Sequence, residues 1–411
     1  MIQYRQAQEI VIGMARSFGK ETIGLEKAPG RVIAETILAD RDYPPFNRST
    51  MDGYALRTAD LRRAVREYRV VETIFAGAGA TRPALAGECY KIMTGAPVPE
   101  PMDIVLRKEE TKEENGVMQL AGFAGQPIAG HAGQTLAGVT PFSNIARRGE
   151  DLRSGDIILD RPAVCDPSLI GLLATLGKKE LIVEALPRVS ILTTGNEVVP
   201  VEAVPGEAEI RNSNRWLIGA LLKNMGVNDI AYQHAGDDPV ALEKAIGPAL
   251  SGDLLILSGG VSAGDADHVP SVMEAMGVRQ LFHKISIRPG KPVWCGVAPS
   301  GTMVFALPGN PFSCLVNFVL LIKPYLKAAA GLSFTEPRGL PLASSRKKRV
   351  SLDEFFPVRL AGSPARLIQK PLNSSGDIRL GLSADGLALH SAESGDLPDG
   401  ANVLYFPLGA D

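Results

Sequence analysis

The sequence predicts a multidomain fold of the α/β plus β class, and three observations carry that prediction. Its 411 residues exceed what one ordinary core holds, so two to four domains are expected. Between Leu181 and Gly331, strand-like runs alternate with helical ones, the pattern of a parallel sheet covered on both faces in a three-layer α/β domain. The flanking text draws on the chain's 43 Gly and 30 Pro and holds only brief alternating runs, the mark of β lobes joined by turns.

The elements follow in order. Met1 to Phe18 reads as an amphipathic helix with Glu9 and Arg16 among its apolar positions. Ala28-Pro29-Gly30 is a turn, and Arg31 to Ala39 a short apolar segment. Asp40 to about Glu150 reads as an all-β lobe with few helices, its clearest strands being Glu67 to Phe75 and Gly116 to Ala121. Asp166-Pro167 pairs an N-cap with a first-turn proline, so a short helix runs to Leu176 and ends at Gly177. Arg188 to Thr193 is a strand, Asn214 to Met225 a helix closed by Gly226, Ile230 to His234 a strand, and Pro239 to Leu250 a helix. Asp253 to Leu257 is a nearly continuous apolar run of the kind buried in a parallel sheet, followed by a Gly-rich loop and a helix near Val269 to Met276. The strand Met303 to Leu307 leads through Pro308-Gly309-Asn310-Pro311 into a long helix from Phe312 to about Ala330, and short strands then resume to Asp411.

Composition narrows the function. A formal charge of -2 gives no global positive field to draw the protein to nucleic acid or to an anionic membrane, so any anion must be held by a local site. Cys89, Cys165, Cys295 and Cys314 show no CxxC pairing and no His at zinc-ligand spacing; buried free thiols in a reducing cytoplasm are expected. The N-terminus lacks the basic flank and apolar run of a signal peptide. The longest apolar stretches, near Leu169 to Leu176 and Leu315 to Ile322, fall short of the roughly 18 residues that cross a bilayer, so no membrane span is expected.

In open α/β sheets, ligands bind outside the carboxyl ends of the strands, and four loops there carry suitable chemistry. Thr193-Thr194-Gly195-Asn196-Glu197 has hydroxyls, a glycine and a carboxylate, though it also reads as an ordinary turn. In Gly236-Asp237-Asp238-Pro239, Asp238 serves as N-cap, which leaves Asp237 for a metal or ligand. In Ser258-Gly259-Gly260-Val261-Ser262-Ala263-Gly264-Asp265-Ala266-Asp267-His268, glycines let N–H groups approach an oxyanion, serines add donors and two acids suit the Mg²⁺ that neutralises phosphate. This loop lacks the GK[ST] ending of a P-loop. In Leu307-Pro308-Gly309-Asn310-Pro311, Asn310 is the expected N-cap, leaving the N–H groups of Phe312 and Ser313 at a positive helix end. Nearby, Lys284, Ser286 and Arg288 alternate with Ile285 and Ile287, so an extended segment places the three polar residues on one face.

These strings, with PPFNRSTMDGYALR (Pro44 to Arg57), KIMTGAPVP (Lys91 to Pro99), RRGEDLRSGD (Arg147 to Asp156), IRPGKP and LPGNP, resemble the molybdopterin molybdenumtransferase family of MoeA type, similar to the C-terminal domain of gephyrin. The resemblance runs through nearly the whole chain, with the motifs in family order. It implies a linker domain (21–40 and 152–180), a β-rich lobe (41–151), an α/β molybdopterin-binding domain (1–20 and 181–331) and a C-terminal β-barrel (332–411). It also implies a cytoplasmic homodimer that takes adenylylated molybdopterin and molybdate with Mg²⁺, releases AMP and inserts molybdenum, in company with other molybdenum cofactor biosynthesis proteins. Carried over by position, Asp52, Thr94, Asp151, Glu197, Asp237 and Asp267 are the implied catalytic set, with Glu197, Asp237 and Asp267 toward the metal. Ser258, Gly259, Gly260, Ser262, Lys284, Ser286, Arg288, Pro308, Gly309, Asn310, Pro311 and Ser313 are the implied substrate contacts.

The chain departs from the family pattern at Asn47, Arg48 and Thr50, at Asn196 and at Asn212, where Asn47, Asn196 and Asn212 stand at usually acidic positions, and Arg288 replaces a usual lysine. Two other functions compete. Molybdopterin adenylyltransferases share the α/β domain and its SGG and LPGNP loops but lack the MDGYA lobe, and a gephyrin-like scaffold would have no need of Glu197, Asp237 and Asp267.

Overall fold

A computed structural model of the chain describes residues 1–63, 65–120, 140–261, 268–333, 336–379 and 381–409. It divides into two compact units, Met1–Glu35 with Arg161–Asp411, and Thr36–Asp160.

The larger unit is built on a six-stranded sheet of β1 (Val189–Thr194), β2 (Ile230–Ala235), β3 (Leu254–Ser258), β4 (Arg279–His283), β6 (Trp294–Val297) and β7 (Met303–Leu307), in the order β2-β1-β3-β7-β6-β4. β2, β1, β3 and β7 are parallel, and β6 runs antiparallel to both β7 and β4. The strands are apolar on both faces because both are covered. Ile191, Ile256 and Phe305 pack against helices α1 (Tyr4–Gly13), α2 (Asn214–Asn224), α5 (Pro311–Asn317) and α6 (Lys323–Ala329). Leu192, Leu257 and Val304 pack against α3 (Pro239–Ala249) and α4 (Val269–Ala275). The predicted three layers are thus present.

Five short strands and a short partner make the second sheet of this unit: β5 (Ile287–Arg288), β8 (Arg338–Pro341), β9 (Asp353–Ala361), β11 (Gly386–His390) and β12 (Asn402–Pro407), in the order β5-β9-β11-β12-β8, with β10 (Arg366–Gln369) paired to β9. A parallel bridge between Leu342 and Leu367 links the β8 side to β10. Strand β5 therefore leaves the α/β stretch of sequence to pair with Asp353 and Glu354. The unit also holds a four-stranded sheet of Lys20–Gly24, Glu180–Glu184, Val32–Ile33 and Ala163–Val164, a helix over Pro167–Thr175 and a two-stranded parallel pair, Val198–Val199 with Ile210–Arg211.

The smaller unit carries a six-stranded sheet, from Ile104–Arg107 through Gly53–Leu56, Glu88–Ile92, Glu67–Ile74 and Val117–Leu120 to Thr111–Glu114. Its one described α-helix is the single turn Thr58–Arg62, in keeping with the expected β character.

Several elements differ from expectation. The N-terminal helix spans Tyr4–Gly13, shorter than Met1 to Phe18, because Ile2 instead extends to bridge Ile285. Arg31 to Ala39 resolves into two two-residue strands, Val32–Ile33 and Ile37–Leu38. The long helix starts at Pro311 and is interrupted by a π-helical turn over Phe318–Ile322. Counted through that turn, the 19 residues Pro311–Ala329 are long and apolar enough by length and composition to cross a membrane, which the short apolar runs did not announce. Since 89% of its 18-residue apolar window is buried inside the fold, its apolarity is that of a core helix. All four cysteines are free and buried.

Candidate functional site

The chain reverses direction across the sheet at β1: β2 adds to one side, then β3 and β7 to the other. Such a switch opens a crevice at the carboxyl ends of the two inner strands, and the parallel register brings Thr193, Ser258 and Leu307 level at that edge. There lies a cleft of about 880 Å³, lined by loops after β1, β2, β3 and β7.

Glycines shape its floor. Gly259 and Gly260 have φ of +107° and +67°, and a Cβ on Gly259 would stand 2.5 Å from Thr194 Oγ1. Only glycine lets this turn lie flat on β1 with its backbone toward the cleft. Gly309 faces it, with Gly259 Cα 4.0 Å from the position a Gly309 Cβ would take. Asp238 caps α3 by accepting from Ala241 N at 2.9 Å, as expected. Asp237 is braced: its Oδ2 accepts from Asn196 N at 3.2 Å and its own N–H donates to Asn196 Oδ1 at 3.4 Å. The usually acidic position 196 thus presents an amide that matches the Asp237 backbone without like-charge repulsion.

Asn212 is buried, donates to Thr193 Oγ1 at 2.7 Å and accepts from Arg215 N at 3.1 Å. It is a connector between β1 and α2, and a carboxylate in its place could only accept from the Thr193 hydroxyl, never donate to it. Asn310 stands at the N-cap of α5 in extended conformation, but its side chain makes no capping bond. Its Nδ2 donates instead to Ser375 Oγ at 2.9 Å, correcting the expected cap.

A second cleft, of about 830 Å³, adjoins the first and shares Pro292, Pro308 and Asn310 with it. Among the described residues its lining includes Arg288, Lys291, Arg346, Arg349 and Lys370 against the single carboxylate Glu354, a formal excess of four positive charges. Arg346 pairs with Glu354 at 3.0 Å, with only 12% and 8% of the two side chains exposed, and its guanidinium lies 3.8 Å from the Phe356 ring centre. Burial pushes the Arg346 guanidinium down from its ordinary value, with Glu354 opposing.

Of the residues expected in the site, Glu197, Asp237, Ser258, Gly259, Gly260, Pro308, Gly309, Asn310 and Pro311 line the first cleft. Arg288, Pro308, Asn310 and Ser313 line the second. Lys284 and Ser286 line neither; their backbones pair with Ile2. Lys284 has a φ of +66°, so the segment is not one continuous strand, although Ile285 and Ile287 are buried and Arg288 is exposed as the alternation predicts. Ser262 and Asp267 lie outside the described residues. Among the described residues, no group of three or more His, Cys, Asp or Glu could hold a metal ion.

In the smaller unit, Asp52 Oδ1 accepts from both the amide and the hydroxyl of Thr94, each at 2.9 Å, which holds its carboxyl below the usual range. Lys108 Nζ stands 3.9 Å from Asp52 Oδ2, a neighbour that motif reading missed. Asp151 is exposed, with its amide on Tyr43 O at 3.0 Å. Also missed were Asn214, read only as the first residue of a helix, and Arg346 and Arg349, whose signal was the basic run Arg346-Lys347-Lys348-Arg349.

Comparison with known proteins gives the family. Residues 2–177 match the family described as MoeA N-terminal region (domain I and II), and residues 190–328 the one described as probable molybdopterin binding domain. A molybdopterin molybdenumtransferase of Staphylococcus aureus is 33% identical over 340 residues, 80% of this chain and 76% of the relative. One of Synechocystis is 29% identical over 391 residues, 94% of each. The crystal structure of the molybdopterin biosynthesis MoeA protein of Pyrococcus horikosii superposes with a TM-score of 0.80 at 28% identity, covering 100% of both chains. The chain belongs to the MoeA-type molybdopterin molybdenumtransferase family.

Proposed function

We propose that this chain inserts molybdenum from molybdate into adenylylated molybdopterin, with cleavage of the phosphoanhydride and release of AMP, in molybdenum cofactor biosynthesis. The observation that carries the reading is the pair of adjoining clefts. One presents glycine-loop backbone and two carboxylates, Glu197 and Asp237, as a nucleotide-like ester with a hard cation needs. The other carries an excess of cations, as a small oxyanion needs. Their shared wall sets molybdate beside the pterin ester.

Mg²⁺ fits the residues present in a limited way. Oxygen donors are the ligands Mg²⁺ takes, and it commonly holds one or two carboxylates and completes its shell with water and substrate phosphate. Glu197 and Asp237 supply that number, with Asp267 the third candidate. When bound, the ion neutralises phosphate charge. The chain's own residues do the rest: the Gly259-Gly260 turn and Gly309 approach the ester closely, Asn196 fixes Asp237, and Arg288 and Lys291 hold the oxyanion. The reading extends to a cytoplasmic homodimer with the four-domain division 21–40 with 152–180, 41–151, 1–20 with 181–331, and 332–411. In that dimer Asp52, Thr94 and Asp151 of one chain serve the cleft of the partner.

Incubation with ATP and molybdopterin tests this against the adenylyltransferase alternative. The chain is expected to transfer no AMP to molybdopterin, while consuming adenylylated molybdopterin when molybdate and Mg²⁺ are given.

A further inference from the structure

We propose that Asn214 is a positioning residue of the ligand cleft, setting the spacing between the Ser258–Gly260 turn and the Pro308–Asn310 loop. The inference rests on the reading of that cleft as the substrate site. Asn214 begins α2, yet the helix does not need its side chain, since Asn212 accepts the Arg215 N–H at 3.1 Å. Its Nδ2 instead donates twice, to Ser258 Oγ at 2.8 Å and to Gly309 O at 2.7 Å. A carbonyl only accepts, so the bond to Gly309 O fixes which end of the amide is nitrogen.

From there the protons run one way. Ser258 Oγ accepts from Asn214 and has Cys314 Sγ at 3.4 Å and Pro308 O at 3.5 Å to receive its own hydrogen. Cys314 Sγ donates to Pro308 O at 2.9 Å, and full burial pushes this thiol up to about 12, so it keeps the hydrogen that bond requires. Asn214, Ser258, Cys314 and the Pro308-Gly309 carbonyls thus form one network behind the two glycine loops. Ser258, only 2% exposed, spends its hydroxyl on this network. Asn214 Oδ1 is buried and has no partner among the described residues, so the amide is held by its nitrogen alone.

Two directional bonds from one side chain tie together loops 50 residues apart in sequence. Gly259 N–H also donates to Leu307 O at 3.0 Å, which anchors the base of the turn; without the Asn214 bonds, Gly309 beyond that anchor is no longer held against Ser258, and a ligand that bridges both loops must order them on binding. The network also explains how a buried cysteine serves this site without chemistry of its own.

The test compares wild type with Asn214→Ala, Asn214→Asp, Cys314→Ser and Cys314→Val. In the ligand-free proteins, amide hydrogen exchange at Gly259 and Gly309 should quicken at least tenfold in both Asn214 variants, while the strand interiors β3 and β7 stay unchanged. The KM for adenylylated molybdopterin and the Kd of AMP with Mg²⁺ should rise at least tenfold in Asn214→Ala, with kcat within about threefold. Cys314→Ser, which keeps a donor to Pro308 O, should stay near wild type, and Cys314→Val should follow Asn214→Ala in part. Unchanged exchange at both loops, or a wild-type KM in Asn214→Ala, overturns the proposal. A wild type that binds no AMP and turns over no substrate overturns the functional reading instead, while the exchange result still judges the network.

Discussion

Replacing Arg346 by Met should destabilise the second sheet and weaken oxyanion binding together, and the size of each effect follows from the pair it breaks. Arg346 and Glu354 are 12% and 8% exposed and 3.0 Å apart, so solvent screens them little. Removing one partner of such a pair leaves a buried carboxylate without compensation, at a cost of about 3–5 kcal/mol. The guanidinium also lies 3.8 Å from the Phe356 ring centre, and that contact is lost as well, though Met refills part of the volume. Replacing both partners, as Arg346→Met with Glu354→Leu, removes the buried charge altogether and should recover most of the loss. Urea unfolding of wild type, single and double variants measures this. In the same proteins the charge excess of the basic cleft falls from four to three in Arg346→Met, and calorimetry should show molybdate binding at least about tenfold weaker, one charge-assisted contact being worth roughly 1.5–3 kcal/mol. A single variant that loses less than about 1 kcal/mol, or a double variant no better than the single, would refute the buried-pair reasoning.

Four further outcomes follow from the same geometry. Arg288→Ala should raise the molybdate Kd well above that of Lys284→Ala, since Arg288 lines the basic cleft and Lys284 does not; equal effects in calorimetry would count against the cleft. Asp237→Asn keeps an acceptor for the Asn196 amide but loses its charge, so thermal stability should hold while Mg²⁺-dependent AMP release drops about 10–100-fold, and turnover at the wild-type rate would remove Asp237 from the metal site. His390 is fully buried, with Nε2 bonded to Gly395 O at 2.8 Å, and burial holds its pKa below the ordinary 6.5. The folded value is depressed, so its neutral form contributes in full above pH 6.5 and the contribution is lost as pH falls through the folded value; His390→Gln should flatten unfolding free energy against pH in that acid range. Refolding a mixture of Asp52→Ala and Asp237→Ala chains should restore about a quarter of wild-type activity if two chains build each site, and none if each site belongs to one chain.

What the sequence made legible is what local pattern encodes. The runs Arg188 to Thr193 and Asp253 to Leu257 are apolar because helices bury both faces of the sheet there, and the glycines that follow them marked the cleft loops. Asp238 and Asp166 announced their helices, and both cap as expected. The basic cleft was half hidden, because Arg288 comes from one stretch and Arg346, Arg349 and Lys370 from another, joined only when β5 pairs with β9. Lys284 was misjudged because a positive φ and the Ile2 bridge interrupt the strand that its alternation describes. Asn310 carried the right residue type for a cap, but tertiary competition from Ser375 took its side chain. Asn214 was legible only as the start of a helix, because its two bonds span loops whose meeting no local pattern reveals.

The central claim, that this protein joins molybdate to a pterin ester at adjoining clefts, is tested most directly by following AMP and molybdenum-bearing pterin together. Purified protein is given adenylylated molybdopterin and Mg²⁺, with molybdate varied. The account predicts AMP and metallated pterin appearing in equal amounts and rising together with molybdate until the basic cleft saturates, with the Arg346→Met variant needing more molybdate for the same rate. AMP release without metal insertion at any molybdate concentration, or no consumption of the ester at all, would contradict it.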